Sequence, residues 1–330
     1  MCGARTGRSM TSSEASAERA ALNGVLPIDK PTGMTSHDVV DVVRRLYRTR
    51  RVGHTGTLDP AASGLLIVVM GPATKVAPYL AAQDKVYRAV VCFGATSDTG
   101  DGDGRITPSD GAALTDREQV AALAGRFVGE VTLPLPSYSA ARTQGRRRYE
   151  LARRGEELPP ADRRTTIHSV TLAGYEPPLA QFLVHCSTGT YIRSLATEIG
   201  AAAGCGAYLY SLRRERIGRF DVSAAWPLAR LEEMASSGSL PAPRPVEEFL
   251  LLPAIDVAPG GVAAVGHGRG PATGEVDGTE GVFAPGDTIV LRGPGQRIIA
   301  IAEASFASVD WPDKVQMDLQ SLVRLRRVLI

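Results

Sequence analysis

An aspartate in a glycine-rich turn is the residue of this sequence best placed to do chemistry. The stretch RVGHTGTLDPAASGLLIVV, residues 51–69, puts Asp59 directly before Pro60 and just ahead of an apolar run. Proline disfavours the α conformation in the residue before it, so we expect Asp59 to be extended, and the glycines allow a ligand to come close. A carboxylate presented in this way can act as a nucleophile or a base, although a lone Asp-Pro pair is typical of a solvated turn.

A basic segment in the middle of the chain is the second candidate. It reads YSAARTQGRRRYELARRGEELPPADRR from Tyr138 onward and combines eight arginines with four acidic residues and two tyrosines. Arginine binds phosphate with a forked pair of donors, and aromatic rings stack on exposed bases. The segment is therefore either a solvated face or a loop that grips RNA; the arginines proposed to bind are Arg142, Arg146, Arg147 and Arg148.

Spacing of the other reactive residues predicts neither a metal site nor a cofactor. The five histidines lack metal-ligand spacing, and His185 and Cys186 are neighbours on a predicted strand, so they face opposite sides. Asp101 and Asp103 lack the ligand positions of a calcium loop and indicate a turn. Gly204-Cys205-Gly206 lacks the third glycine of a dinucleotide fingerprint, and no P-loop pattern occurs.

Composition narrows the class of protein. The 330 residues are 44% hydrophobic and 22% charged, which indicates a globular chain of about two domains. A net charge of +2 means that any affinity for nucleic acid must come from a local patch. The four cysteines are scattered, and no apolar run is long enough to span a membrane. The first twenty residues lack the apolar stretch of a secretory signal peptide. We expect a soluble, cytoplasmic protein without disulfide bonds.

The elements that position these residues predict an α+β fold. Capping-box signals at Thr35 and Thr115 start two helices, the first of which runs to about Arg50. TYIRSLATEIGAAA is a third helix, and its predicted buried face is Ile192, Leu195, Ala196 and Ile199. The predicted strands are residues 64–70, residues 85–94, TIHSVTLAGY and AQFLVHCS. Helices and strands do not alternate regularly, which favours α+β over a doubly wound sheet.

Composition also suggests how the chain is divided. Residues 1–20 are predicted to be a disordered tail, and residues 21–250 a first domain that contains the basic segment. A Pro- and Ser-rich stretch then precedes strand-like sequence, with an alternating hairpin around Gly293-Pro294-Gly295. Residues 255–330 are therefore predicted to be a small all-β barrel.

Six segments between residues 24 and 220 together resemble the TruB-type tRNA pseudouridine synthases, a bacterial stand-alone family that isomerises the T-loop uridine at tRNA position 55. They are GVLPIDKPTGMTSHDVV, RVGHTGTLDPAASGLL, KVYR, YSAARTQGRRRY, CSTGTYIRSLA and GCGAYLYSLRR. Arg142 stands where the family often has lysine, which keeps the charge. The resemblance implies a pseudouridine synthase fold, with a mixed, largely antiparallel sheet flanked by helices. It also implies that residues 21–250 are a pseudouridine synthase catalytic domain with a thumb-like, RNA-gripping insertion at about 137–165. The C-terminal barrel would be a PUA-like RNA-binding domain.

The resemblance implies that Asp59 is the catalytic residue. The reaction breaks the N1–C1′ bond, turns the uracil and rejoins it through C5, so no cofactor is needed. Asp59 could add to C6, capture C1′ or remove the 2′ proton to give a glycal, and the sequence does not choose among these routes. Arg193 is the implied cation that keeps the pKa of Asp59 low. Tyr87 would stack on the base and handle the C5 proton.

The resemblance also implies a set of substrate-binding residues. Tyr191 and Leu212 would line the uracil pocket, although each could be an ordinary core residue. His54 would fill the space left in the RNA by the flipped-out uridine, or be a core histidine. Lys30 and Lys75 would contact phosphates or support the catalytic loop, or be solvated lysines.

The implied partner is tRNA, bound by its T-arm and possibly its acceptor end, with no membrane, no obligate protein partner and a monomeric state. Two alternatives remain. One is a non-catalytic tRNA-binding or RNA-folding protein on the same scaffold, which would not need Asp59, Tyr87 and Arg193 together. The other is a guide-RNA-dependent pseudouridine synthase, from which the absence of long Lys-rich tails distinguishes this chain.

Overall fold

The computed structural model describes residues 22–111, 116–139, 141–143, 145–154, 156, 158–311 and 322–330. For Arg142, Arg147 and Arg153 it describes the backbone alone. The predicted tail, residues 1–20, lies outside the described residues.

Strands dominate the described part of the chain. They are β1 (Gly24–Lys30), β2 (Val52–Thr55), β3 (Ser63–Met70), β4 (Lys85–Phe93), β5 (Ala95–Ser97), β6 (Ile106–Pro108), β7 (Gly129–Pro134), β8 (Arg142–Thr143), β9 (Arg146–Arg147), β10 (Asp162–Glu176), β11 (Leu179–Cys186), β12 (Ala207–Ile217), β13 (Phe220–Asp221), β14 (Trp226–Pro227), β15 (Ala254–Val257), β16 (Val276–Glu280), β17 (Thr288–Arg292), β18 (Ile298–Ala304) and β19 (Val323–Val328). The helices are α1 (Ser36–Leu46), α2 (Ala77–Ala81), α3 (Arg117–Gly125), α4 (Arg148–Arg153), α5 (Ile192–Ala203), α6 (Leu228–Ser236) and α7 (Pro259–Gly266).

A large mixed sheet forms the framework of the first part of the chain. Its strand order is β14-β1-β3-β12-β4-β11-β10-β7, with β2 added to β3 and β13 to β12. Two of its pairings, β1 with β14 and β3 with β12, are parallel and the others are antiparallel. The predicted α+β class with a mixed, largely antiparallel sheet is therefore confirmed.

Helix α5 covers one face of this sheet. Its predicted buried residues Ile192, Leu195, Ala196 and Ile199 all pack in one core cluster with side chains of β4 and β11. In β4 the side chains of Tyr87 and Ala89 point into this cluster. Because strand residues alternate in direction, this packing decides which side chains of β4 face the α5 side of the sheet.

Residues after the large sheet form a second sheet of five strands in the order β16-β15-β17-β18-β19. The predicted hairpin is present as β17 and β18, joined through Gly293, Pro294 and Gly295. One eight-residue helix, α7, accompanies it, so the C-terminal part is largely β. The two sheets share a buried apolar cluster that includes Leu65 and Val69 from β3 and Val290 and Ile301 from the second sheet.

Two details of the predicted helices are wrong. Helix α1 begins after a capping box at Thr35, as predicted, but ends at Leu46 rather than near Arg50, because Arg48 adopts a positive φ of 51°. Helix α3 is capped by Asp116, whose carboxylate accepts from the backbone N–H groups of the next turn. Thr115, the predicted cap, lies outside the described residues. No helix in the described ranges is long and apolar enough to cross a membrane.

Candidate active site

The loop that carries Asp59 is hydrogen-bonded to the segment that joins β1 to α1. Ser36, at the start of α1, both accepts a hydrogen bond from the Leu58 N–H at 2.8 Å and donates one to the Leu58 carbonyl at 3.1 Å. The backbone N–H of Gly33 donates to the carbonyl of Pro60 at 2.9 Å. The two quoted motifs, DKPTGMTS and HTGTLDP, are therefore one structural unit that fixes the backbone on both sides of Asp59.

Lys30 belongs to this unit and is fully buried. Its ammonium donates to the carbonyls of Met34 at 2.6 Å, Pro31 at 2.8 Å and Pro60 at 3.4 Å. Burial lowers the pKa of Lys30 to about 8, partly offset by Asp59. Of the two functional roles predicted for Lys30, phosphate contact is wrong because no charge is exposed, whereas this geometry suits support of the loop.

Arg214 of β12 fixes the other side of the loop. Its guanidinium is 1% exposed and donates to the carbonyls of Leu65 at 2.7 Å and Gly56 at 3.0 Å. The backbone of Arg214 lies against Gly64, where a β-carbon would meet the Arg214 carbonyl oxygen at 2.3 Å. Gly64 also has φ of +101°, so glycine is required there on both counts.

Asp59 and Arg193 form an ion pair at the centre of the site. The Arg193 guanidinium lies 3.1 Å from Oδ2 of Asp59 and 3.3 Å from Oδ2 of Asp101, and only 6% of it is exposed. It also donates to the carbonyl of Tyr138 at 2.7 Å and to that of Thr99 at 3.3 Å. The Asp59 side chain is 44% exposed, so its carboxylate is fixed by a buried cation yet open to a ligand.

The pKa of Asp59 reflects opposing influences. Burial raises it most, Arg193 lowers it, and the carboxylates of Asp101 and Asp103 raise it again, so the net direction is upward. The prediction that Arg193 pulls the pKa down is correct for that residue's own contribution but wrong for the net shift, because the surrounding protein and two further carboxylates outweigh it. A higher pKa makes the ionised carboxylate a stronger base and nucleophile.

A cavity of about 250 Å³ opens beside Asp59. It brings together the predicted residues Asp59, Tyr87, Tyr191, Arg193 and Leu212. Tyr87 is 8% exposed, and burial raises its pKa, with a smaller opposing effect from Arg214. Its phenol is therefore neutral at ordinary pH and can donate a proton. Among its described lining, the cavity offers one carboxylate and no histidine or cysteine, so these residues do not form a metal-ligand set.

His54 lies on β2, outside the described lining of that cavity. It is partly buried, and burial, Arg214 and His37 all lower its pKa. Its Nδ1 is buried without a hydrogen-bond partner among the described residues. The structure thus places a neutral imidazole on the strand that leads into the Asp59 loop, outside the described lining of the cavity.

The predicted arginines of the thumb differ in position. Arg146 is exposed and pairs with Glu156 at 3.0 Å. Arg148 is 2% exposed and donates to Pro159 O at 3.1 Å, Thr143 Oγ1 at 3.2 Å and Pro136 O at 3.3 Å. The prediction that Arg148 grips RNA is wrong, because its guanidinium is used inside the thumb. Arg142 and Arg147 lie on β8 and β9, and their side chains are outside the described ones.

The ammonium group of Lys75 already donates a hydrogen bond within the protein. It is partly buried and donates to the carbonyl of Val328, in the second sheet, at 2.6 Å. It therefore links the turn after β3 to the second sheet, a role that the sequence did not suggest.

Two residues of the site were missed by sequence reasoning. Asp101 was interpreted as part of a turn, yet it shares Arg193 with Asp59. Arg214 was quoted only as part of a motif, although it touches the loop on both sides of Asp59. Arg214 stands in the charged run RRER at residues 213–216, so no signal in the sequence distinguished it from its charged neighbours.

Comparisons with known proteins agree with this geometry. Residues 44–192 match the family model described as TruB family pseudouridylate synthase, N-terminal domain. A protein of Syntrophotalea carbinolica named tRNA pseudouridine synthase B is 41% identical over 280 residues, which is 83% of this chain and 90% of that protein. Proteins of the same name from Chromohalobacter salexigens and Dechloromonas aromatica are 44% identical over 250 residues and 38% identical over 298 residues, covering 81% and 95% of those proteins.

Solved structures share the fold. The chain in the crystal structure of a Cbf5-Nop10-Gar1 complex superposes with a TM-score of 0.76 at 24% identity, covering 96% of this chain and 88% of that one. A chain of an H/ACA RNP bound to a substrate RNA containing 2′-deoxyuridine gives a TM-score of 0.75 at 23% identity, covering 96% and 87%. At this identity the likeness extends to the fold and no further.

Proposed function

The chain belongs to the TruB family of pseudouridylate synthases, and we propose that it converts the T-loop uridine of tRNA at position 55 to pseudouridine. It is accordingly an isomerase. The observation that carries the proposal is the half-exposed Asp59 carboxylate, 3.1 Å from the buried Arg193, at a cavity lined by Tyr87, Tyr191 and Leu212. Such a site offers one ionisable nucleophile or base beside an apolar and aromatic slot for a flat base.

The proposed chemistry uses the groups of the chain alone. Asp59 acts as nucleophile at C6 or C1′, or as base at the 2′ carbon. In each route the N1–C1′ bond breaks, C5 replaces N1 in the bond to C1′, and the proton lost from C5 is balanced by the proton that N1 gains, which gives pseudouridine. Arg193 favours the ionised state of Asp59 and fixes its direction. Tyr87 stacks on the base as it turns. Its neutral phenol can relay the C5 proton by giving up its own proton as it accepts the one from C5.

Reaching this cavity requires that the uridine leave its stack in the RNA, at a cost of a few kcal/mol. We propose that His54 fills the space that the uridine leaves in the RNA. Its neutral imidazole lies on the strand that leads into the Asp59 loop. The partial exposure of His54 on this strand supports the role.

The T-arm contact is assigned to the thumb and the acceptor end to the second sheet. Arg146 is exposed on the thumb, and β8 and β9 carry Arg142 and Arg147 beside it. We propose the division into a catalytic domain, residues 21–250, and a PUA-like RNA-binding domain, residues 255–330; the separate five-stranded sheet supports it. We further propose that the protein acts as a monomer in the cytoplasm, without an obligate protein partner.

Purified protein incubated with unmodified tRNA tests this proposal. Carbodiimide treatment followed by primer extension should show one new stop at the T-loop uridine, and tRNA with cytidine at that position should show none. Binding of tRNA without a new stop would indicate the alternative of a non-catalytic RNA-binding protein. A stop elsewhere would reject the assigned target.

A further inference from the structure

A cluster of two histidines and one aspartate lies on the opposite side of the large sheet from the catalytic cavity. Asp84 directly precedes β4, His168 is on β10 and His185 is on β11. Oδ2 of Asp84 is 3.0 Å from Nε2 of His168, and the rings of His168 and His185 are 4.6 Å apart. We propose that these three side chains bind one divalent transition-metal ion, with Zn²⁺ as the best match.

The geometry of the three donors suits zinc. One ligand atom from each residue lies within 4.8 Å of the other two. Zinc bonds to imidazole nitrogen and carboxylate oxygen are about 2.0–2.2 Å long, so ligand atoms around a tetrahedral ion are about 3.4 Å apart. Small side-chain rotations therefore bring the three donors to a common centre. The partial exposure of Asp84 and His168, 45% and 37%, leaves room for a water molecule as the fourth ligand.

The backbone of the sheet places these donors together. Cys186 and Val184 of β11 are buried on the α5 face, so His185 between them faces the other side. On β10 the pairing shifts between Ile167 and Ser169, which leaves His168 as the extra residue of a β-bulge beside His185. Bulges re-aim side chains at particular positions of a sheet. The sequence spacing of the histidines gave no sign of this site because the three donors meet only through strand pairing.

The charges around the cluster are compatible with a cation. An imidazole coordinates a metal ion through the lone pair of an unprotonated ring nitrogen, so zinc binding by His168 and His185 is favoured at neutral and higher pH. Asp84 supplies the negative charge. Arg216, exposed on β12, is the opposing positive group, and its field is screened by water. A bound ion would join β10 and β11 to the turn before Lys85, which lines the catalytic cavity on the other face.

Titration of the full-length protein with zinc chloride tests the proposal. Protein freed of metal with EDTA and dialysed is titrated in a calorimeter at pH 7.5, as wild type and as His185→Ala, His168→Ala and Asp84→Asn. His37→Ala removes an exposed histidine outside the cluster and is the matched control. We expect one ion per chain in wild type and control, and a loss of affinity of at least ~20-fold in each cluster variant.

Fold and activity readouts separate this proposal from the proposed enzyme function. Far-UV circular dichroism in EDTA should be the same for all variants, and zinc should raise the Tm of wild type and His37→Ala alone. Pseudouridine formation in EDTA should match that without it, because the cluster and Asp59 lie on opposite faces. Wild-type binding weaker than about 1 mM, or zinc affinity in the three cluster variants equal to that of wild type, overturns the metal site and leaves the enzyme assignment untouched.

Discussion

Arg193 pairs with Asp59 from a position that is unfavourable for a cation. It is the second residue of α5, where the positive end of the helix dipole disfavours a guanidinium. The carboxylates of Asp59 and Asp101 and the carbonyls of Thr99 and Tyr138 surround it and offset that effect. The arrangement makes each of these acceptors part of what positions Asp59.

Replacing Asp59 by asparagine should abolish turnover while tRNA still binds. Asparagine preserves the shape of the side chain but can serve neither as nucleophile nor as base, so we expect kcat to fall by at least ~1000-fold. Release of tritium from tRNA labelled at C5 of uridine measures turnover, and filter binding measures Kd. Asp41→Asn, at an exposed position of α1, is the control and should behave as wild type. Activity within tenfold of wild type in Asp59→Asn would falsify the catalytic assignment.

The acid limb of the pH profile should respond to Asp101. Asp59 must be ionised to react, and its pKa is raised, so kcat/KM falls as the pH drops through that raised value. Asp101→Asn removes a negative charge that raises this pKa, and the limb should therefore move to lower pH. Plateau activity should also fall, because Arg193 loses one of its acceptors. Asp110→Asn, an exposed change on a neighbouring loop, should leave the limb in place; a limb that stays in place in Asp101→Asn as well would show that the two carboxylates do not interact.

Replacing Arg214 by lysine tests the buried support of the catalytic loop. Lysine keeps the charge but cannot bridge the carbonyls of Leu65 and Gly56, so we expect kcat to fall about 10- to 100-fold. A stability decrease of about 2–4 kcal/mol should accompany it, because buried acceptors lose their donors. Urea unfolding and turnover measure the two effects. Arg216→Lys, on the same strand but exposed, should change neither; equal behaviour of both variants would contradict the role of Arg214.

The sequence was sufficient to predict much of the fold and the centre of the site. Helix α1 and its cap, the buried face of α5, and β3 and β4 follow from local signals: a capping box, helical spacing of apolar residues and short apolar runs. Asp59 was recognisable as a candidate for chemistry because the neighbouring proline and glycines all shape the turn that carries it. Its assignment as a catalytic residue still came from the resemblance rather than from the pattern itself.

What the sequence could not show depends on long-range pairing. Asp101 reaches Arg193 only because the β5–β6 turn folds over the start of α5, and no spacing along the chain reveals that. Arg148 and Arg146 are two residues apart in one charged run, yet the fold buries one and exposes the other. His168 and His185 likewise meet only through the pairing of β10 with β11.

Replacement of the two thumb arginines, Arg146 and Arg148, by alanine should therefore have different effects on tRNA binding and on stability. Arg146→Ala should weaken tRNA binding and reduce the slope of log K against log salt by roughly 0.7–0.9, the effect of one lost phosphate contact, without a change in Tm. Arg148→Ala should lower the Tm or increase cleavage of the thumb by protease, because three internal acceptors lose their donor. Binding measured across a salt series, together with thermal unfolding, distinguishes these outcomes. An unchanged slope for Arg146→Ala would identify Arg146 as part of a solvated face.

Gly64→Ala should be among the most destabilising single changes near the site. Its β-carbon would lie 2.3 Å from the carbonyl oxygen and 2.7 Å from the nitrogen of Arg214, in a backbone that cannot move without separating β3 from β12. The φ of +101° adds strain of its own. We expect the free energy of unfolding in urea to fall by about 3–5 kcal/mol, in the range reserved for severe steric conflicts.

Gly33→Ala is the matched control for that change. Gly33 also has a positive φ, +82°, but nothing lies within 4 Å of an added β-carbon. The backbone strain alone should reduce the free energy of unfolding by about 1–2 kcal/mol. The difference between the two variants therefore isolates the contact with Arg214. If both lost the same stability, the close approach of β3 to β12 would not be what requires glycine at position 64, and the support of the Asp59 loop by Arg214 would need another explanation.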